Sequence, residues 1–165
     1  MEESKYRLDL PYPAVTLQPS DCRYAKMISG AYAGKGSETT AISQYRVHAL
    51  YLRELPDVLA AYRGIAASEV IHQELLGGLI KDLCCAPTLR SGETGQFWSG
   101  NFPNYRCELI PIFEADAQGE RDAIAHYTRM IDCVSNDSIK ALFRRIILDE
   151  ELHLKILLSL IAKYK

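Results

Sequence analysis

Glu38-Thr-Thr-Ala-Ile-Ser-Gln-Tyr45 and Glu120-Arg-Asp-Ala-Ile-Ala-His-Tyr127 decide the fold of this chain. Both read E-x-x-A-I-x-x-Y. Each is followed, 31 and 30 residues after its glutamate, by a second shared motif, Glu69-Val-Ile-His72 and Glu150-Glu-Leu-His153, both E-x-x-H. The offset from Glu38 to Glu120 is 82 residues and from His72 to His153 it is 81. Two motifs recurring at nearly one offset mark an internal repeat, and the repeated unit is a pair of helices.

Working outward, apolar residues fall at helical spacing from about Ser20 to Glu54, with Ser20 or Asp21 as the N-cap, although Gly30, Gly34 and Gly36 weaken the early part. Pro56 suits the first turn of a second helix that runs to about Cys85. The stretch from 86 to about 106, APTLRSGETGQFWSGNFPNY, is rich in Gly, Pro, Ser and Asn and breaks the pattern. A connection of that length inside a small domain is functional or a crossover. A third helix is expected from about Cys107 to Cys133, and a fourth to about Tyr164 with Asp137 as its N-cap. Residues 1–20 carry three prolines and no helical period, and read as an extended arm over the bundle or a neighbouring subunit. Residues 21–165 then form one all-α four-helix bundle with a long crossover between helices two and three.

Composition is consistent with that reading. A chain of 165 residues suits one domain that needs no disulfide staples. A net charge of -2 offers no footprint for nucleic acid or an anionic membrane. No apolar run reaches the ~20 residues of a membrane span. The N-terminal MEESKYRLDLPYP lacks the pattern of a secretory signal, so a cytoplasmic location is expected. Cys22, Cys84, Cys85, Cys107 and Cys133 form no C-x-x-C pair, and read as reduced, mostly structural thiols.

The spacing carries chemistry. Residues i and i+3 share a helix face, so each E-x-x-H presents a carboxylate and an imidazole to one point. One glutamate from each of two helices, plus E-x-x-H from each of the other two, is the ligand pattern of dimetal carboxylate bundles. Glu38, Glu69, His72, Glu120, Glu150 and His153 are therefore the candidate ligands. The residues expected around them, Ala41, Ile42, Ile71, Leu75, Ala123, Ile124, Ile147 and Leu154, are apolar. Four ionised carboxylates in such surroundings repel one another, and two divalent cations with neutral histidines balance them. Oxygen and imidazole ligands suit iron or manganese. Tyr45 and Tyr127 lie seven residues, about two helical turns, beyond Glu38 and Glu120, and are candidates to orient a ligand by a hydrogen bond. His48 and His126 fall off the ligand face and are read as non-ligands. Glu74 and Glu151 read as solvated, and Glu114 is an off-face competitor to Glu120.

The runs YAGKGSETTAISQY, AASEVIHQELL and IILDEELH resemble the manganese catalase and spore-coat catalase-like branch of the ferritin-like superfamily, which is related to the rubrerythrins. The resemblance covers most of the chain from Leu10 onward. It implies that the positions of Glu38, Glu69, His72, Glu120 and His153 are ligands. Glu150 is implied to be either a sixth ligand, as in iron members, or a carboxylate that moves protons beside the metals. The implied cofactor is two metal ions, manganese ahead of iron. The implied function is disproportionation of hydrogen peroxide. The alternatives are a rubrerythrin-like di-iron peroxidase or ferroxidase with an external electron donor, and a structural coat protein that keeps a metal site. Peroxide or a dioxygen species is the implied substrate, and the protein is expected to be a homo-oligomer of the cytoplasm or spore coat.

Overall fold

In the computed structural model, which describes residues 3–165, the helix expected from Ser20 to Glu54 is two helices, α1 (Ala25–Ala33) and α2 (Glu38–Tyr51). The break follows from local chemistry. A β-carbon on Gly34 would meet the Gly30 carbonyl at 2.5 Å, so only glycine allows the chain to leave α1 there. Ser37 then restarts the helix, its hydroxyl accepting from the Thr40 amide. The start of the expected helix, with its cap at Ser20 or Asp21, is instead a 3-10 turn, Pro19–Tyr24.

α3 (Pro56–Asp82) opens on Pro56, and α4 (Leu109–Cys133) starts two residues later than expected. α5 (Asp137–Tyr164) is capped by Asn136 rather than Asp137: the Asn136 side chain accepts from the amides of Ser138 and Ile139. Asp137 is the first helical residue, where its charge faces the positive end of the helix. α2 packs against α3 and α4 against α5, giving the all-α four-helix bundle, with α1 added beside α3.

The crossover from α3 to α4 is fastened to the first half of the bundle. Trp98 Nε1 donates to Thr40 Oγ1 at 3.0 Å, the Asn104 amide to Gln44 Oε1 at 2.6 Å, and the Gly92 amide to Ser29 Oγ at 2.7 Å. The five cysteines are free and exposed, not the structural residues expected, because they lie at helix ends and in connections.

Two apolar clusters fill the bundle. One gathers Ile28, Leu76, Ile80, Met130, Phe143 and Ile146. The other gathers Tyr62, Ile65, Ile112, Phe113 and Leu157. Between them lies a layer of buried polar side chains, and that layer is the site. No helix among the described residues is long and apolar enough to cross a membrane.

Candidate metal centre

The repeat brings all six candidate residues to one buried layer. Glu38, Glu69, His72 and Glu150 offer atoms within 4.8 Å of one another, and Glu69, Glu120, Glu150 and His153 do the same. Glu69 and Glu150 belong to both groups and stand between the two histidines. Glu150 Oε1 is 3.0 Å from His72 Nδ1 and its Oε2 is 3.3 Å from His153 Nδ1. Glu69 Oε2 is 3.4 Å from His72 Nδ1 and its Oε1 is 2.9 Å from His153 Nδ1. The geometry is thus a two-fold arrangement with two straddling carboxylates. Glu38 and His72 mark one end, and Glu120 and His153 the other.

The tyrosines cross over. Tyr45 donates to Glu120, the glutamate of the facing helix, and Tyr127 donates to Glu38. α2 and α4 exchange hydrogen bonds at the glutamates, so each carboxylate is oriented by the other half of the repeat.

The outer nitrogens of the imidazoles are also engaged. His153 Nε2 lies 2.9 Å from the Tyr6 carbonyl oxygen, which can only accept. His72 Nε2 lies 3.2 Å from Asp149 Oδ2. Asp149 is held ionised: burial pushes its carboxyl up, but hydrogen bonds from His72, Tyr12 and Arg145 outweigh that and hold it well below the usual range. Both Nε2 atoms therefore carry the hydrogen, and both Nδ1 lone pairs face carboxylate oxygens. Lone pairs facing carboxylate oxygens at about 3 Å repel unless a cation lies between them. Glu69 Oε1, Glu150 Oε1 and both Nδ1 atoms are buried without a hydrogen-bond partner. The donor set fits a pair of divalent ions. Without metal, protons take that place: despite the opposing effect of burial, the surrounding carboxylates raise both imidazoles well above their ordinary range. Burial, then the charges of Glu69 and Glu150 respectively, raises Glu38 and Glu120 likewise.

A cavity of about 550 Å³ opens onto the layer between α2, α4 and the crossover. Glu38, Glu69, Glu120 and Glu150 line it and neither ligand-set histidine does, so the carboxylate side is the open side.

The other acidic and histidine positions sort by burial. Glu74 and Glu151 are exposed. Glu114 is exposed beside Lys165. His126 lines the cavity and its pKa is lowered by burial. His48 is buried but lies outside both groups, with its Nδ1 2.8 Å from Asp116 Oδ2. Tyr62 and Gln44 also donate to Asp116. Sequence reasoning missed this network and Asp149 with its partners Arg145 and Tyr12. Of the eight apolar residues expected around the ligands Ile42 is buried and the other seven are half-buried, Ala41 and Ala123 lining the cavity beside the glutamates.

The rubrerythrin family model matches residues 31–161. The chain belongs to the rubrerythrin family. No curated protein sequence matches this rubrerythrin-family chain. Among solved structures, it is similar to the KatB manganese catalase of Anabaena, with a TM-score of 0.86 and 18% identity over 94% of this chain and 78% of that one. It is similar to the bacterioferritin of Rhodobacter capsulatus, with a TM-score of 0.73 and 27% identity over 87% and 86% of the two chains. A dodecameric thioferritin from Bacteroides fragilis matches with a TM-score of 0.70 and 20% identity over 89% and 88%. The family match places the chain in the ferritin-like superfamily, and these likenesses show the same four-helix fold.

Proposed function

We propose that the protein is a dinuclear oxidoreductase that consumes hydrogen peroxide, with Glu38, Glu69, His72, Glu120 and His153 as its metal ligands and Glu150 beside them, as a proton-handling carboxylate or as a sixth ligand. The observation that carries this is the pair of buried Nδ1 atoms facing four carboxylates with no hydrogen-bond donor to serve them. A pair of ions held there, each able to change by one electron, would supply the two electrons that one peroxide takes and accept the two that another gives. The chain supplies the rest. Tyr45 and Tyr127 fix the outer glutamates, Asp149 and the Tyr6 carbonyl fix the imidazoles, and the cavity admits a small polar substrate to the carboxylate side. Glu150, like Glu69, reaches both halves of the site and lines the cavity; in the catalase reading Glu150 is the carboxylate that holds or passes a proton for substrate.

Catalase chemistry at a manganese pair is supported by the fold shared with the Anabaena enzyme. The matching placement of Glu150 and Glu69 favours a second reading: a rubrerythrin-like di-iron peroxidase or ferroxidase, in which Glu150 is a full ligand and an external donor supplies electrons. Metal content of protein purified without added metal, combined with oxygen release from peroxide in the absence of reductant, separates them. Manganese with one oxygen per two peroxides supports the catalase. Iron with peroxide consumed only when reductant is present supports the peroxidase. No turnover with either metal refutes both. Association of subunits belongs to the same proposal, and sedimentation tests it.

A further inference from the structure

The repeat that builds the site is broken at one position. Asp149 directly precedes Glu150, and Ser68, 81 residues earlier, directly precedes Glu69. Asp149 reaches across to the imidazole of the other half, His72. By the same geometry residue 68 is placed to serve His153. A serine stands there instead, and its hydroxyl is buried with no hydrogen-bond partner. The N-terminal segment fills the position: His153 Nε2 bonds to the Tyr6 carbonyl.

The segment is held for that task. The Tyr6 ring lies against Gly64, one helical turn before Ser68, so closely that a β-carbon on Gly64 would meet the ring at 2.0 Å. Arg145 Nη2 donates to the carbonyls of Leu8 and Leu10, and the Leu8 amide donates to Asp149 Oδ1. One stretch of chain therefore closes the histidine side of the site, opposite the cavity.

We infer that the stretch from Tyr6 to Tyr12 is a built-in part of the metal centre and makes its two metal positions unequal, the one at His72 holding its ion more tightly than the one at His153. The inference rests on the two-metal reading. Its physical basis is the partner of each imidazole. An ionised carboxylate behind His72 increases its basicity as a ligand, whereas a neutral carbonyl behind His153 does so less. Removing or adding an outer partner of this kind typically changes metal affinity by about 10–100-fold.

Titration of the metal-free full chain with Co²⁺, followed by its visible absorption and by release to a chelator, tests this. The wild type is expected to bind two equivalents in two steps, the first about 10–100-fold tighter. Gly64→Ala, which displaces Tyr6, is expected to weaken the second equivalent and leave the first unchanged. Ser68→Asp, which supplies His153 with the carboxylate the repeat lacks, is expected to narrow the gap between the steps. A general loss of packing would affect both equivalents, so selectivity for one is the decisive readout. Two equivalents that bind and leave with one constant in the wild type, or a Ser68→Asp protein whose steps stay as far apart as before, overturn the inference. Uptake of fewer than two equivalents by the wild type overturns the two-metal reading itself.

Discussion

Loading the site with metal should release protons, up to four per pair of ions. The metal-free site holds six ionisable groups. Glu38, Glu120, His72 and His153 are all raised above their ordinary range. Glu69 and Glu150 are lowered, because their hydrogen bonds and the facing imidazoles outweigh burial. With protons on the four raised groups, two carboxylates balance two imidazolium ions. With two divalent ions, four carboxylates balance the metals and the imidazoles are neutral. When all four raised groups are protonated, neutrality at this depth is kept by exchanging four protons for two ions. Each proton contributes about 1.4 kcal/mol per pH unit, so binding of the pair should strengthen by roughly 5–6 kcal/mol per unit while all four groups remain protonated. The metal-free protein should move the opposite way. Groups whose folded pKa is raised contribute stability that is present below their unfolded values, about 4.3 for Glu and 6.5 for His, and is lost as pH rises through the folded ones. Its melting temperature should therefore fall from pH 6 to pH 8 while that of the loaded protein holds. Adding Mn²⁺ or Fe²⁺ to weakly buffered apo-protein containing an indicator dye counts the protons directly. Release of fewer than two protons per pair at pH 7 refutes the assignment of charge.

Replacing Glu69 or Glu150 by Ala should sharply lower metal occupancy measured by elemental analysis, since each carboxylate reaches both halves of the site; full occupancy in both variants would mean that the site is misassigned. Tyr45→Phe and Tyr127→Phe each remove a donor from a buried glutamate, at a cost of about 1–3 kcal/mol, and should weaken metal uptake; unchanged uptake and turnover in both would remove the tyrosines from the centre. Asp149 has a depressed folded pKa, so its contribution is present above its unfolded value of about 3.9 and is lost as pH falls through the lower folded one. The stability difference between wild type and Asp149→Asn, measured by denaturant titration, should stay constant from pH 7 to 5 and shrink below about pH 4; a difference that grows on acidification would contradict the ion pair with Arg145.

The bundle and the convergence of six side chains were legible because both rest on spacing within a helix. Glu69 and His72, or Glu150 and His153, must share a face whenever the segment is helical, and the second copy removes most of the chance of coincidence. Helix breaks were harder to read. Gly34 was visible as a weak point, but its near contact with the Gly30 carbonyl is a property of the turn and not of composition. Groups that act across the chain left almost no local signal. Asp149 in Leu-Asp-Glu-Glu-Leu looks like one more acid of a solvated run, and its burial depends on Arg145 one turn earlier and on Tyr12 from the far end of the sequence. His48 was rightly separated from the ligand face by its rotation, but its partnership with Asp116 joins two helices 68 residues apart in sequence.

The repeat also held information that comparison of ligand positions alone leaves unused. Extending the alignment by one residue sets Ser68 against Asp149, and a buried site cannot lose a carboxylate at one of two equivalent places without another group taking its part. The chain supplies that group from outside the repeat, from residues with no helical period that bind through a backbone carbonyl. A backbone acceptor has no sequence signature, so the mismatch at Ser68 and the small residue at Gly64 are the marks it leaves in the sequence. The likeness between the halves gives the site its six groups. The difference between them predicts that its two ends do not behave alike, and Ser68→Asp, by restoring the likeness, tests that directly.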